Sequence, residues 1–340
     1  MLKKHMLLLL MLVLIGPVTL FSQNISNNNT VIPRMRVIVD NDFSGDPDGL
    51  FQLAHLLLSP SVEIRGIIGS HLSVNDGFDP SKTQADNAAN KAKELLQVMA
   101  IKNNIPVFAG SNTAMVNDST PVKSEAVNFI IQEALRTDTK LPLYVLCGAG
   151  LTEIASAVLT NPQIANKLTL IWIGGPEYND LALPPPNFST PEYNLKIDIS
   201  AGAVVFNKSN IALWQIPRNA YRQCIVSYSQ LLVKVKPTGK VGNYLTTVLE
   251  NLMKRIQPYY NLGETYVLGD SPLVLLTALQ SSFEADPSSS SYVVKLAPKI
   301  NKFGAYEYNH KGRPIRVYNH LDTHLMFEDF FAKLALMNPY

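Results

Sequence analysis

The chain has 340 residues, 46% of them hydrophobic, and 29 basic against 27 acidic residues give it a formal net charge of +2. That length accommodates one large domain or two around a substantial core, and the balanced charge without a basic tract leaves no electrostatic footprint for nucleic acid. Two cysteines do not make a disulfide framework, and a bond between Cys147 and Cys224 is left open.

In chain order, Lys3 and Lys4 precede an apolar run from Met6 to Leu20, and Leu20-Phe21-Ser22 before Gln23 forms a cleavage site. Residues 1–22 therefore read as a secretory signal peptide, too short and wrongly flanked for a stable membrane span. The expectation is an exported protein, periplasmic or secreted, with no membrane span after signal removal. Residues 23–33 read as a flexible polar segment in which Asn24-Ile25-Ser26 and Asn28-Asn29-Thr30 match the glycosylation acceptor pattern. Residues 34–340 read as the folded domain.

From Arg36 onward, strand-like and helix-like segments alternate. Arg36–Asp40, Glu63–Gly69, Pro106–Phe108, Pro142–Cys147, Leu168–Ile173 and Asn210–Ile216 have strand character. Between them Asp48–Leu58, Ser81–Met99, Val122–Leu135, Gly150–Leu159 and Ser200–Phe206 have helical spacing. This alternation predicts an α/β fold, a mostly parallel central sheet with helices on both faces. Gly175 to Ile199, with Pro184-Pro185-Pro186, reads as a functional loop. The pattern then becomes a helical cap from Tyr228 to Leu279, a small C-terminal antiparallel unit from Ser291 to Tyr318, and a closing helix from Thr323 to Leu336.

The densest chemistry follows the first strand. Asp40, Asp42, Asp46 and Asp48 fall within nine positions at a strand-to-helix turn. Like charges this close repel unless a cation or protons neutralise them. A solvated turn with Asp48 as helix N-cap is the alternative.

Read together, four ordered segments resemble the inosine–uridine-type nucleoside hydrolases. They are the Asp-x-Asp…Asp run at 40–48; Gly148-Ala149-Gly150-Leu151-Thr152-Glu153-Ile154-Ala155 with Asn161-Pro162; Trp172-Ile173-Gly174-Gly175 with Asn187-Phe188-Ser189-Thr190-Pro191-Glu192-Tyr193-Asn194 and Asp198; and Gly269-Asp270-Ser271-Pro272-Leu273. The likeness spans roughly residues 35 to 335. It implies hydrolysis of the N-glycosidic bond of a ribonucleoside or ribosylated small molecule through an oxocarbenium-like transition state, with a bound Ca²⁺ holding the ribose hydroxyls and a water. By the same resemblance Asp42 matches the residue that binds calcium and acts as base. Asp40 matches a ligand or supporting group, Asp48 the carboxylate gripping calcium, and Asp270 a ligand that also contacts ribose. Gly148, or Cys147 beside it, would give a backbone carbonyl to the metal, and Asn187, Glu192 and Asn194 would bind ribose. Each has a plainer reading: Asp270 before Ser271-Pro272 suits a helix N-cap, and Glu192 and Asn194 suit a surface loop.

Two departures from the family pattern alter the expected site. The loop is one residue longer, so with Asp48 on calcium the ribose-facing aspartate is replaced by Pro47, and Asp46 is the compensating ribose contact. The other alignment puts Asp48 on ribose and leaves calcium with Gly49. Gly269 stands where many members carry the histidine that protonates the leaving base; His71, after the second strand at the pocket rim, is the candidate substitute acid, with a satisfied rim histidine as the plainer reading. His55 reads as structural, and His320 and His324 lack a further ligand cluster. Tyr178, Tyr259, Tyr260 and Tyr266 are stacking candidates. The rival reading is a non-catalytic nucleoside- or sugar-binding relative, and the oligomeric state, a homo-oligomer included, stays open.

Overall fold

The computed structural model describes residues 30–188, 191–281 and 290–337; the signal-peptide assignment and the Asn24 and Asn28 acceptor asparagines lie outside them. Strand β1 (Met35–Asn41) is buried along its whole length because apolar side chains alternate to both faces. It pairs in parallel with β2 (Val62–Gly69) on one side and β4 (Leu143–Cys147) on the other. Beyond β2 lies β3 (Val107–Ala109), and beyond β4 lie β5 (Leu168–Ile173) and β6 (Ala212–Ile216), all parallel. The chain thus winds outward in one direction from β1 and in the other from β4. The crevice at the carboxyl ends of these two strands is the topological switch point, where open α/β sheets bind ligands.

Helices α1 (Asp48–Leu57) and α2 (Gln84–Val98) bury Leu50, Leu53, Ala88 and Leu95 in one core cluster with Val37 and Val39 of β1. On the other face α3 (Glu125–Leu135) and α4 (Thr152–Thr160) pack Ile130 and Ile154 against Ile38 and Val145. Among the described residues no helix is long and apolar enough to cross a membrane.

The C-terminal segment is antiparallel, as its composition implies, but it does not stand apart. A short ribbon β7 (Ile225–Ser227) with β8 (Thr265–Val267) interrupts the helical stretch. Strand β9 (Ser291–Leu296) pairs antiparallel with β12 (Pro314–His320), and β12 docks in parallel on β6, extending the central sheet to eight strands. Only β10 (Lys299–Ile300) and β11 (Tyr306–Glu307) form a separate ribbon there. The two cysteines are free and buried.

At its far end α1 is anchored by His55, whose Nε2 meets Asp329 Oδ2 at 2.7 Å in the helix Thr323–Met337, while Lys333 reaches the same carboxylate at 2.6 Å. Burial holds the imidazole below its ordinary 6.5, outweighing the Asp329 bond, so a neutral ring donates to a carboxylate. Asp329 is itself lowered despite burial, through His55 and Lys333. Both folded-state values lie below the unfolded ones, so this contribution is complete above pH 6.5 and is lost as pH falls. The Tm advantage of wild type over His55→Phe should therefore shrink between about pH 7 and pH 5; a difference independent of pH would overturn the assignment.

Candidate active site

The acidic turn closes over the carboxyl end of β1. Pro47, not Asp48, occupies the N-cap position of α1, and Asp48 is its first residue. Instead of capping, Asp48 Oδ2 accepts the Asp270 backbone N–H at 3.2 Å. Asp270 likewise caps nothing: Ser271 holds the N-cap position of the turn Pro272–Leu275. Its Oδ2 accepts Asn41 Nδ2 at 2.9 Å across 229 residues of sequence. That amide is packed closely enough to dictate two glycines. A Cβ at Gly49 would lie 2.9 Å from Asn41 Nδ2, and one at Gly148 2.5 Å from it. Asp46 is held by the Tyr266 hydroxyl, which donates to its Oδ2 at 2.8 Å.

The structure therefore places Asp48 against Asp270, with Asp42 and Asp46 near enough for their charges to act on that pair. Burial, then the charges of Asp270 and Asp46, push Asp42 well above the usual carboxylate range, and the same causes act on Asp48. Asp270 is pushed up to about 7 by burial, against the Asn41 bond and with the charge of Asp46 added. Asp40 belongs to a different group. Its carboxylate accepts the Ser70 hydroxyl and faces the Cys147 thiol at 3.9 Å. Burial sends Asp40 to about 7 and, with the Asp40 charge, Glu153 to about 8. Strand alternation turns Asp40, after Ile38, to the face covered by α3 and α4 and Asn41, after Val37 and Val39, to the face covered by α1, while Asp42 lies past the strand's end in the turn.

Among the described residues no three His, Cys, Asp or Glu side chains are gathered around a common point that could hold a metal ion. The donor chemistry nevertheless fits a hard cation. Asp42, Asp48 and Asp270 are hard-oxygen ligands whose mutual repulsion a divalent ion would reverse, and such ions complete their shell with carbonyls and water. The Gly148 carbonyl accepts Asn194 Nδ2 at 3.0 Å, and a carbonyl oxygen has a second lone pair for a metal.

The loop after β5 supplies the next layer. Glu192, 1% exposed, caps α5 (Tyr193–Ile197), its Oε2 accepting Leu195 N at 3.1 Å and Gly175 N at 2.7 Å. Gly175 has φ +86° and a Cβ there would strike the Tyr306 hydroxyl at 2.1 Å, so no other residue fits the turn. Glu192 Oε1 accepts the Tyr221 hydroxyl at 2.8 Å. Asn194 Nδ2 also donates to the Ile173 carbonyl at 2.8 Å. Asp198 caps α6 (Ile199–Ala203) and accepts Thr152 and the Met115 N–H. Asn187 is not brought to this layer by any contact: it is exposed at φ +65°, before Phe188, whose ring lies between Arg218 and Arg222 at 5.5 and 5.6 Å. Ser189 and Thr190 lie outside the described residues.

His71 is buried beside the second group. Its Nδ1 lies 3.0 Å from the Ser111 carbonyl, which places the proton on Nδ1, and its buried Nε2 has no partner. Burial, against the Asp198 charge, holds its pKa down. The ring is thus a neutral acceptor at Nε2. Of the four stacking candidates, Tyr266 bonds Asp46, Tyr178 donates to Gln215 at 2.8 Å, and Tyr259 and Tyr260 are exposed.

Asn41 and Tyr221 are the residues that the motifs did not flag. An amide between two motif aspartates is the one signal for Asn41; Tyr221, in the four-residue helix α7 (Arg218–Tyr221), has none. A cleft of about 360 Å³ adjoins the turn, lined by Phe43, Gly45, Pro47 and Phe78. The larger cleft, about 720 Å³ between α2 and the helix Gly239–Ile256, contains none of these site residues.

Comparison with known proteins matches this arrangement to one family model, that of the inosine-uridine preferring nucleoside hydrolase, over residues 37–327. Among solved structures, a plant nucleoside hydrolase, PpNRh1, superposes with a TM-score of 0.66 at 18% identity, covering 89% of this chain and 99% of its own. A purine-preferring ribonucleoside hydrolase from Gardnerella vaginalis gives the same values. An inosine-uridine preferring nucleoside hydrolase from Bacillus anthracis gives a TM-score of 0.57 at 18% identity and the same coverage. No curated protein sequence matches the chain significantly.

Proposed function

The chain belongs to the inosine-uridine preferring nucleoside hydrolase family, which makes it a glycosyl hydrolase by descent, and on that premise we propose that it hydrolyses the N-glycosidic bond of a ribonucleoside or ribosylated small molecule, releasing base and ribose. The observation that carries this reading is that Asp270, more than 200 residues away in sequence, is bonded through its backbone N–H to Asp48 and through its carboxylate to Asn41, beside Asp42, at the switch point of the sheet.

Asp42, Asp48, Asp270 and the Gly148 carbonyl would hold Ca²⁺, with Asp40 bracing the turn from behind. When bound, that ion orients the sugar hydroxyls and lowers the pKa of the attacking water. Asp42 is the base that takes the water's proton. Glu192 and Asn194 face the ribose. The Asn194 nitrogen is already engaged by two carbonyls, so a sugar hydroxyl meets its oxygen. Asp46, fixed by Tyr266, takes the ribose contact that Pro47 cannot make. Carboxylates around the sugar also favour positive charge as it develops there. Export is part of the proposal and is supported by the sequence of residues 1–22.

A reducing-sugar assay over a nucleoside panel, with and without Ca²⁺, tests the reading. Ribose release that depends on calcium supports it, whereas saturable binding without release would make the protein a nucleoside-binding relative. The division of labour between Asp46 and Asp48 is tested separately. Asp48→Ala should lower calcium affinity at least tenfold by calorimetry, because the ion loses both ligand charge and number. Asp46→Ala should weaken the sugar while leaving calcium nearly unchanged. Normal calcium binding by Asp48→Ala would move Asp48 to the ribose.

A further inference from the structure

Away from the acidic turn, two buried side chains grip one residue of the loop after β3. Glu153, in the first turn of α4, accepts the Ser111 backbone N–H on Oε1 at 2.7 Å. His71 meets the carbonyl of the same residue through Nδ1 at 3.0 Å. The fit is close, since a Cβ at Gly110 would lie 2.4 Å from Glu153 Oε1. From Ser111 the hydrogen bonds run on to the acidic turn. Asn112 Oδ1 accepts the Ala85 N–H at 2.8 Å in the first turn of α2. Beside it the Gln84 side chain holds Leu72 N and the carbonyls of Ser73 and Asp79, and the Gln84 carbonyl accepts the Ser44 hydroxyl at 3.2 Å.

Each of the two side chains has one polar atom left over. Glu153 Oε2 and His71 Nε2 are both buried without a hydrogen-bond partner, a costly state unless something pairs with them. The groups that act on Glu153 are Asp40 of β1, Asp198 ahead of α6 and the Cys147 thiol of β4, and none of them is a cation. The His71 ring is neutral. A carboxyl group buried among carboxylates, with one oxygen unpaired, keeps its proton. Burial, then the Asp40 charge, accordingly send Glu153 to about 8. The proton belongs on Oε2, because Oε1 already accepts the Ser111 N–H. A donor at Oε2 and an acceptor at Nε2 then flank one residue, and a single buried water satisfies both by accepting from the first and donating to the second.

We propose that Glu153 and His71 form one uncharged positioning unit, joined through an internal water, that fixes the loop after β3 and through it the rim of the active site. The unit touches no substrate. It acts through Ser111, Asn112 and the start of α2 on the segment from Leu72 to Asp79 and on Ser44 of the acidic turn. Its effect on ribosides rests on the hydrolase reading above; the hydrogen bonds that define it do not.

The test uses the full chain and three substitutions. Infrared difference spectra of wild type against Glu153→Gln, taken near neutral pH, should show the stretch of a protonated buried carboxyl group. Glutamine keeps an acceptor for Ser111 and a donor toward the water, so this variant should melt at or above the wild-type temperature, with KM for p-nitrophenyl riboside within about threefold. Glu153→Ala and His71→Ala should each lower Tm and raise that KM about tenfold, and the double variant should be no worse than the weaker single one, because removing either part already disjoins the unit. Absence of the carboxyl band, a Glu153→Gln variant that melts as low as Glu153→Ala, or melting losses that add in the double variant would overturn the unit. Lower Tm with unchanged KM in both alanine variants would leave a structural role and overturn the positioning one. Should an alanine variant fail to fold, the infrared band and Glu153→Gln decide alone. The band and the melts need no turnover, so a chain that releases no ribose would overturn the hydrolase reading without touching them.

Discussion

Asparagine in place of Asp42 should lower kcat/KM for ribose release by about 10²–10⁴-fold, the usual worth of a positioned proton acceptor, and should do so without weakening the fold. The two effects have one origin. Asp42 is buried and faces Asp270 and Asp46, so its charge destabilises the folded state unless a cation is bound. Asparagine keeps the shape and removes the charge. In chelator, Asp42→Asn should melt at or above the wild-type temperature, whereas added Ca²⁺ should raise the wild-type Tm more than that of the variant, because binding to the folded state alone stabilises by mass action. Thermal melts in chelator and in Ca²⁺, run beside the reducing-sugar assay, check both halves. Activity within tenfold of wild type would remove Asp42 from the role of base. A lower Tm in chelator would mean that the turn needs the carboxylate structurally.

That trade between charge and stability explains why the site was legible in the sequence at all. Four aspartates in nine positions are too costly to be incidental, and a turn after a buried strand can place them only at the carboxyl edge of a parallel sheet. The parallel sheet itself followed from the alternation of apolar strands with amphipathic helices, and β1, β2, β4 and β5 differ from their expected bounds by one residue or none. The C-terminal strands were harder, because the β-rich composition of Ser291–Tyr318 cannot say that β12 would return to lie parallel beside β6.

The finer failures share a cause: each depends on a partner remote in sequence. Asp40 and Asp42 look equivalent in the motif, yet Asp40 lies within β1 and faces Ser70 and Glu153, while Asp42 falls past the strand's end at Asn41 and turns with the loop. Asn41 gains its meaning from Asp270 and from the space left at Gly49 and Gly148. Gly269 read as a missing acid; the structure adds that Asp48 and Tyr221 lie beside the position. Asn187 matched a ribose-binding position but sits exposed at the turn before Phe188, since three prolines set the course of that loop.

Leaving-group activation should be the slow step with ordinary nucleosides. Without an acid at 269, the roughly 10²–10⁴-fold that general acid catalysis contributes is lost, while the sugar contacts of Glu192, Asn194 and Asp270 persist. p-Nitrophenyl riboside, whose phenolate departs unprotonated, should therefore be cleaved at least 100-fold faster than inosine or uridine. His71 decides whether a substitute acid exists. Its Nδ1 faces the Ser111 carbonyl and burial keeps the ring neutral, so Nε2 offers a lone pair and no proton. His71→Ala should accordingly leave the ratio of p-nitrophenyl riboside to inosine rates unchanged within about threefold, a difference well below the general-acid range. If the variant slows inosine alone and widens the ratio tenfold or more, His71 is the acid and its ring must be protonated in the substrate complex. If wild type shows equal rates on both substrate classes, bond breaking to the base is not what limits turnover.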